Sequence, residues 1–251
     1  MKETKRNLKM TIAYDGTPYL GWQKNNAGPS IEECLQTALQ QILQEDIALS
    51  AASRTDTGVH AKGQVVNFLT TRCLCLHKLQ RSLNGLLGDA IAVLSIEEVP
   101  IQFHSTLHAI KKEYWYYVCF GRMQNPFFRR TSWHFPRFLE LYHMQKAAHS
   151  LIGEHDFSAF CNKRSSWDRS TICDIKELSI SLLSEERMRF IIRGDHFLYK
   201  MVRNLVGTLA YIGCAKLTVD QVPNFLKSKD RSQIGMTAPA HGLLLKKVCY
   251  L

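Results

Sequence analysis

The pattern of apolar and polar positions from Leu8 to Val99 predicts strand 8–14, helix 30–43, strand 47–53, strand 63–69, helix 76–87 and strand 90–98. This is the β-α-β-β-α-β order of a ferredoxin-like unit. The first helix opens with Ser30-Ile31-Glu32-Glu33, a capping-box spacing in which Ser and Glu each satisfy a backbone donor of the other. Ile47–Ser53 and Gln64–Leu69 have strand length and β-branched content, and a turn-rich stretch containing Thr57-Gly58 separates them. Asp56 therefore falls on a strand-to-strand loop.

The second half repeats this order loosely, with strand 113–120, helix 139–151, strand 172–183, strand 187–193, helix 197–212 and strand 242–249, and a further short helix at 218–227. No residue-level repeat accompanies the repeated order. Gly121 to Pro136 reads as the connector, being rich in Arg, Pro and aromatics, with Asn125-Pro126 as a turn signal.

Composition narrows the class. A chain of 251 residues with 45% hydrophobic and 22% charged positions can bury a sizeable core, as one large domain or two packed halves. No stretch approaches the roughly 18 apolar residues of a membrane span, and Met1 to Lys9 is polar with both charge signs, so the expected location is the cytosol. Lys and Arg outnumber Asp and Glu by 32 to 22, and the resulting charge of +10 favours a polyanionic partner. Basic pairs stand at Lys111-Lys112, Arg129-Arg130, Lys163-Arg164 and Lys246-Lys247. Two of them lie beside the aromatic runs Tyr114-Trp115-Tyr116-Tyr117 and Phe127-Phe128, an interleaving that suits phosphate contact with base stacking and equally suits alternating faces of core strands. Eight cysteines lie scattered without a Cys-x-x-Cys pair, and with the ten histidines they form no zinc spacing, so no metal is expected.

Asp56, in Arg54-Thr55-Asp56-Thr57-Gly58-Val59-His60-Ala61, could simply be a turn aspartate that accepts backbone donors before Gly58. Asp-Thr-Gly is also the string of an aspartic protease, where two carboxylates share a proton. Here Arg54-Thr55 replaces the apolar pair that usually precedes it and only one copy occurs, so a protease would need a dimer.

The longer string, continued by Gly63-Gln64-Val65-Val66-Asn67-Phe68, closely resembles the catalytic loop of the tRNA pseudouridine synthase A family. Tyr14-Asp15-Gly16-Thr17-Pro18-Tyr19-Leu20-Gly21-Trp22-Gln23 and Phe103-His104 followed by Tyr114-x-Tyr116 are similar to family blocks. So are Asn125-Pro126-Phe127, Gly153-Glu154-His155-Asp156-Phe157-Ser158-Ala159-Phe160, Phe197-Leu198-Tyr199-Lys200-Met201-Val202-Arg203-Asn204 and Thr237-Ala238-Pro239-Ala240-His241-Gly242-Leu243, in the same order. Departures from the usual pattern are Ser53 and Thr57 around the loop, Ile31-Glu32, Glu113, and Leu244 in place of an aromatic.

The resemblance implies an α+β pseudouridine synthase fold: two ferredoxin-like halves with mostly antiparallel sheets, 1–105 carrying the catalytic loop and 106–251 carrying a basic helix and the closing strand, flanking a central basic cleft. It implies isomerisation of uridine to pseudouridine at positions 38 to 40 of the tRNA anticodon stem-loop by a cytoplasmic homodimer without cofactor. By the same resemblance Asp56 is the nucleophile, attacking either the sugar C1′ or the uracil ring, and Arg203 is its ion-pair partner, which would keep it ionised. Tyr114 packs on the target base, Leu245 lines the base pocket, and Arg54 fills the space left by the extruded nucleotide. His60 reads as a loop hydrogen-bonding residue. The rival reading is a non-catalytic RNA-binding or RNA-folding protein on the same scaffold.

Overall fold

Alternation along Arg6–Tyr14 (β1) turns Leu8, Met10, Ile12 and Tyr14 inward, and the same period in His60–Thr70 (β3) sets Phe68 opposite Leu8 and Val66 opposite Met10 across an antiparallel ladder. Ile91–Val99 (β4) pairs antiparallel with the other edge of β1. Helices Ile31–Leu43 (α1) and Leu76–Leu86 (α2) bury Leu35 with Leu39 and Leu79 with Leu83, the i, i+4 stripe of a core-facing helix. Ser30 caps α1 by accepting the Glu33 N–H at 3.3 Å, while the Glu33 carboxylate lies 3.8 Å from Lys24 Nζ.

These observations come from a computed structural model that describes residues 5–162 and 170–251; the Lys163-Arg164 pair lies outside the described residues. The chain forms two compact units, one up to Ile110 together with Leu245–Leu251, the other Lys111–Leu244. The first has the strand order β4-β1-β3-β10, where β10 is Leu243–Cys249, and Ser50–Ala51 (β2) also pairs with β3. The element order β-α-β-β-α-β is thus present here. The carboxyl end is tied in by the Ile110 N–H to the Cys249 carbonyl at 3.0 Å and by the Tyr250 hydroxyl to the Ser105 carbonyl at 2.7 Å.

The predicted strand 47–53 shrinks to two residues because side chains take its backbone partners. Gln36 donates to the Ile47 carbonyl before the two residues that still pair, and Gln64 brackets Ser53 from both sides after them. A backbone satisfied in this way has no need of a ladder.

In the second unit the order is β5-β9-β8-β7, from Lys111–Phe120, Arg187–Gly194, Ile172–Ser184 and Gly153–Asp156, with Trp133–Phe135 (β6) lying parallel to β5. The β5–β9, β9–β8 and β8–β7 pairings are antiparallel. One face buries Tyr116, Val118, Phe190, Ile192, Leu178 and Ile180, and residues that alternate with them along the strands, Trp115, Tyr117, Arg189 and Ser181 among them, are more exposed. Helices Leu141–His149 (α3), Met201–Gly213 (α4) and Val222–Ser228 (α5) complete the unit, and α4 is buried almost all round. Helix α4 starts at Met201 and not at 197, because Lys200 adopts φ +61°, a left-handed turn that a helix cannot continue through.

Gly121–Pro136 is not a connector between units. It lies wholly inside the second and contains β6, while the chain passes between units after Ile110 and again after Leu244. No helix among the described residues is long and apolar enough to cross a membrane.

Candidate active site

Asp56 sits half-buried at the tip of the loop between β2 and β3, where its carbonyl accepts the Val59 N–H at 3.1 Å to close a tight turn. Every approach to this loop is braced. The Trp22 N–H donates to the Thr55 carbonyl at 3.0 Å, the Tyr14 hydroxyl meets Thr55 Oγ1 at 2.8 Å, and Gln64, fully buried, donates to the Ser53 carbonyl at 2.6 Å while accepting the Ser53 N–H at 3.3 Å. Buried polar groups paired in this way hold a single geometry, since any other leaves one of them unsatisfied in the interior.

The brace comes from the 14–23 block. Gly21 has φ +90°, and a Cβ on it would stand 2.8 Å from the Thr55 carbonyl oxygen; one on Gly16 would collide with the Val59 carbonyl. Only glycine lets this segment lie so close under the loop. The Gly16 N–H also donates to His60 Nδ1 at 3.2 Å, and Asp15 Oδ1 lies 3.1 Å from the same nitrogen while accepting the Thr17 N–H and hydroxyl. Nδ1 can accept from Gly16 or donate to Asp15 but not both at once, so the His60 tautomer decides which holds. Either way His60, buried, serves the loop's position.

Arg54 is exposed beside Asp56. Leu245, in β10, is completely buried in the first unit.

Tyr114 and Arg203 belong to the second unit. Tyr114 is buried on β5 opposite Ile192, with its ring edge-to-face against Phe197 at a centroid distance of 5.3 Å. Phe197 rides on the turn from β9 to α4, which is itself pinned. Asp195 Oδ1 accepts the N–H groups of Asp174 at 3.0 Å and His196 at 2.6 Å, its Oδ2 meets His196 Nδ1 at 3.0 Å, and His196 Nε2 lies 3.4 Å from Cys173 Sγ. Burial pushes the Cys173 thiol up to about 12, with the Asp195 charge adding to it, so this thiol is a hydrogen-bonding group and not a nucleophile.

Arg203, on α4, donates from Nε to the Ala238 carbonyl at 2.7 Å while its own carbonyl accepts the Ala238 N–H at 3.1 Å. The neighbouring Pro239 carbonyl accepts the Tyr116 hydroxyl at 2.6 Å, and burial raises the Tyr116 phenol well above its ordinary value, the positive charge of Arg203 opposing. Beside them Asn204 donates to the Phe160 carbonyl at 2.6 Å and to Asn162 at 2.8 Å and accepts from Thr237 at 2.6 Å. The 153–160, 197–204 and 237–243 blocks, far apart in sequence, thus fix the face of α4 that carries Arg203. Tyr14, Gln64, Phe197 and Asn204 were not singled out from the sequence as site-shaping residues, although all four lay in quoted blocks. Among the described residues no group of three His, Cys, Asp or Glu side chains is placed to hold a metal ion.

Comparison with known proteins bears on the same blocks. A family model described as tRNA pseudouridine synthase matches residues 10–106 and 147–251. A Protochlamydia amoebophila protein named tRNA pseudouridine synthase A 2 is 51% identical over 252 residues, covering 100% of this chain and 96% of its own. Proteins named tRNA pseudouridine synthase A from a Thermoanaerobacter species and from Acetivibrio thermocellus are 42% and 39% identical, each covering 98% of this chain and 100% of their own. A solved Cbf5-Nop10-Gar1 complex is similar at a TM-score of 0.38 and 14% identity over 81% of this chain, which spans only 44% of that one, a likeness on which nothing further rests.

Proposed function

Because the chain belongs to the tRNA pseudouridine synthase family, we propose that it isomerises uridine to pseudouridine at positions 38 to 40 of the tRNA anticodon stem-loop, with Asp56 as nucleophile. The observation that carries this reading is the bracing of the Asp56 loop. A turn aspartate needs no second segment packed beneath it, whereas a covalent nucleophile gains from being held within a fraction of an ångström of its target.

The reaction breaks the N1–C1′ bond and joins C5 to C1′; the C5 proton is lost and N1 gains one, so atoms and electrons balance without a cofactor. A carboxylate attacks the sugar C1′ or the uracil ring and is regenerated in the second step. Arg203 is the ion-pair partner of Asp56 in this reading; the Ala238 carbonyl, by engaging Nε, sets the plane of the guanidinium. Tyr114, backed by Phe197, packs on the base, Leu245 lines its pocket, and Arg54 occupies the space left by the extruded nucleotide. The enzyme acts as a cytoplasmic homodimer, in which one tRNA meets both copies and gains phosphate contacts.

Tritium release from tRNA labelled at uracil C5 tests the proposal. Wild type should release label and Asp56→Ala should bind tRNA but release none. Binding without release by the wild type would transfer support to a non-catalytic RNA-binding scaffold. Arg203→Leu should cut single-turnover rate at least a hundredfold, about 2.7 kcal/mol, with a much smaller change in tRNA affinity; an unchanged rate would remove Arg203 from the site.

A further inference from the structure

The loop between β5 and β6 plays no part in that chemistry, yet it is built with unusual chemical bias. From Tyr114 to Leu139 the sequence has no Asp or Glu and four arginines, Arg122, Arg129, Arg130 and Arg137. Its two consecutive aromatics turn opposite ways. Phe128 lies under the Arg187 guanidinium, 3.9 Å from its ring centre, and that same guanidinium is 4.7 Å from the Tyr117 ring. Phe127 is 90% exposed, and Met123 beside it 82%.

Local hydrogen bonds hold this arrangement. Asn125 accepts the Phe127 N–H on its side chain at 3.0 Å and the Phe128 N–H on its carbonyl at 3.1 Å, while the ends of the loop are tied by the Phe120 N–H to the Glu186 carbonyl and by His134 Nε2 to the Gly121 carbonyl. The outward ring is therefore presented by an ordered turn. Two residues along β9 from Arg187, Arg189 stacks 4.7 Å from the Trp115 ring, and the buried Nε atoms of Arg187 and Arg189 have no hydrogen-bond partner. Neither arginine forms an ion pair among the described residues, so rings and not carboxylates support these charges.

We propose that the Arg122–Thr131 loop is an RNA-docking surface in which Phe127 stacks on an unpaired base while Arg129 and Arg130 neutralise flanking phosphates. The occupant follows from charge. A ring exposed to water among cations without a nearby acid in sequence suits a polyanion that also offers flat apolar faces, which is the make-up of an RNA loop. A second copy of a chain carrying +10 brings like charge to the same place. This inference rests on the reading of tRNA as substrate, but it concerns binding and not the reaction.

Equilibrium binding of an unmodified tRNA transcript with uridines at positions 38 to 40, measured across a salt series, tests it. Phe127→Ala should weaken binding about tenfold with the salt slope unchanged, and Phe127→Trp should restore affinity. Arg129→Gln with Arg130→Gln should lower the slope of log Kd against log salt by about 1.5. Thermal melting should be unchanged in the two Phe127 variants, whose altered side chain is exposed, and in the double-glutamine variant should shift only by what an exposed polar contact is worth. Wild-type affinity and slope in both the alanine and the double-glutamine variants would overturn the proposal. A shift in sedimentation-defined self-association, with tRNA affinity unaltered, would overturn it in favour of a second copy. The two readings fail separately: wild type that binds with these dependences but releases no tritium loses the isomerase reading alone, and release with unaltered binding by the variants loses the docking surface alone.

Discussion

Two strand-to-strand loops of this molecule present Asp56, the proposed nucleophile, and Phe127, the proposed stacking ring, in opposite ways. The Asp56 loop is held from outside by Tyr14, Gly16, Gly21, Trp22 and Gln64, residues that lie up to 42 positions before it or just after it. The tip of the Phe127 loop is held by itself, through Asn125 and Pro126, with Arg187 stacked on Phe128; its ends are tied by Glu186 and His134. The difference matches the tolerance of each task. A nucleophile loses rate steeply with small displacements, whereas base stacking and phosphate contact accept many poses, because every base has a π-face and Coulomb attraction has no strict geometry.

Substitutions in the brace should separate the two loops, and the largest effect is expected at Gly21. Gly21→Ala places a Cβ against the Thr55 carbonyl at a φ of +90°, and should cost about 3 kcal/mol in denaturant unfolding with loss of most turnover. A stable, fully active Gly21→Ala protein would show that the loop does not depend on this approach. Gln64→Leu comes next. It removes the two hydrogen bonds that Gln64 makes to Ser53, for about 2 kcal/mol, and should lower turnover while tRNA affinity stays within a few-fold. Tyr14→Phe removes one hydrogen bond to Thr55 and should cost about 1 kcal/mol, with Thr55→Val no worse in that background, since both changes break the same contact.

The smallest effect sharpens the comparison from the side of pH. In β7, Asp156 is pulled well below the ordinary carboxylate value: burial pushes it up, but Lys229, 2.7 Å away, and the N–H of Ser158 are among the groups that outweigh that. A depressed carboxylate adds stability that is present above its ordinary value of 3.8 and is lost as pH falls towards the folded-state value. Because the Lys229 side chain is largely exposed, the contribution is modest. Melting of Asp156→Asn should therefore fall less than wild type between pH 5 and pH 2, and parallel curves would remove the pair from the acid response.

The first half of the fold was legible as far as local pattern governs it. Helix α1 began where Ser30 and Glu33 place it, and β1, β3, α2 and β4 followed their apolar periods to within a few residues. Strand 47–53 was misread because β-branched content says a backbone can extend, and says nothing of Gln36 and Gln64 taking the partners of Ile47 and Ser53. Gly121–Pro136 was misread as a connector because turn residues and arginines mark a surface loop without telling which elements it joins.

The sequence by itself determined the element order of the first unit, the charge, the family and the short string on which Asp56 stands, because each depends on residue identity and near neighbours in the chain; the short strands β6 and β7 of the second unit were not foreseen. Only the tertiary structure decided why Gly16 and Gly21 are glycines, which residues brace the Asp56 loop, and how Asn204, Phe160 and Thr237 come to support the helix that bears Arg203. Those facts depend on approaches between segments tens of residues apart, where a buried donor or acceptor accepts only the partner that the packed chain brings to it.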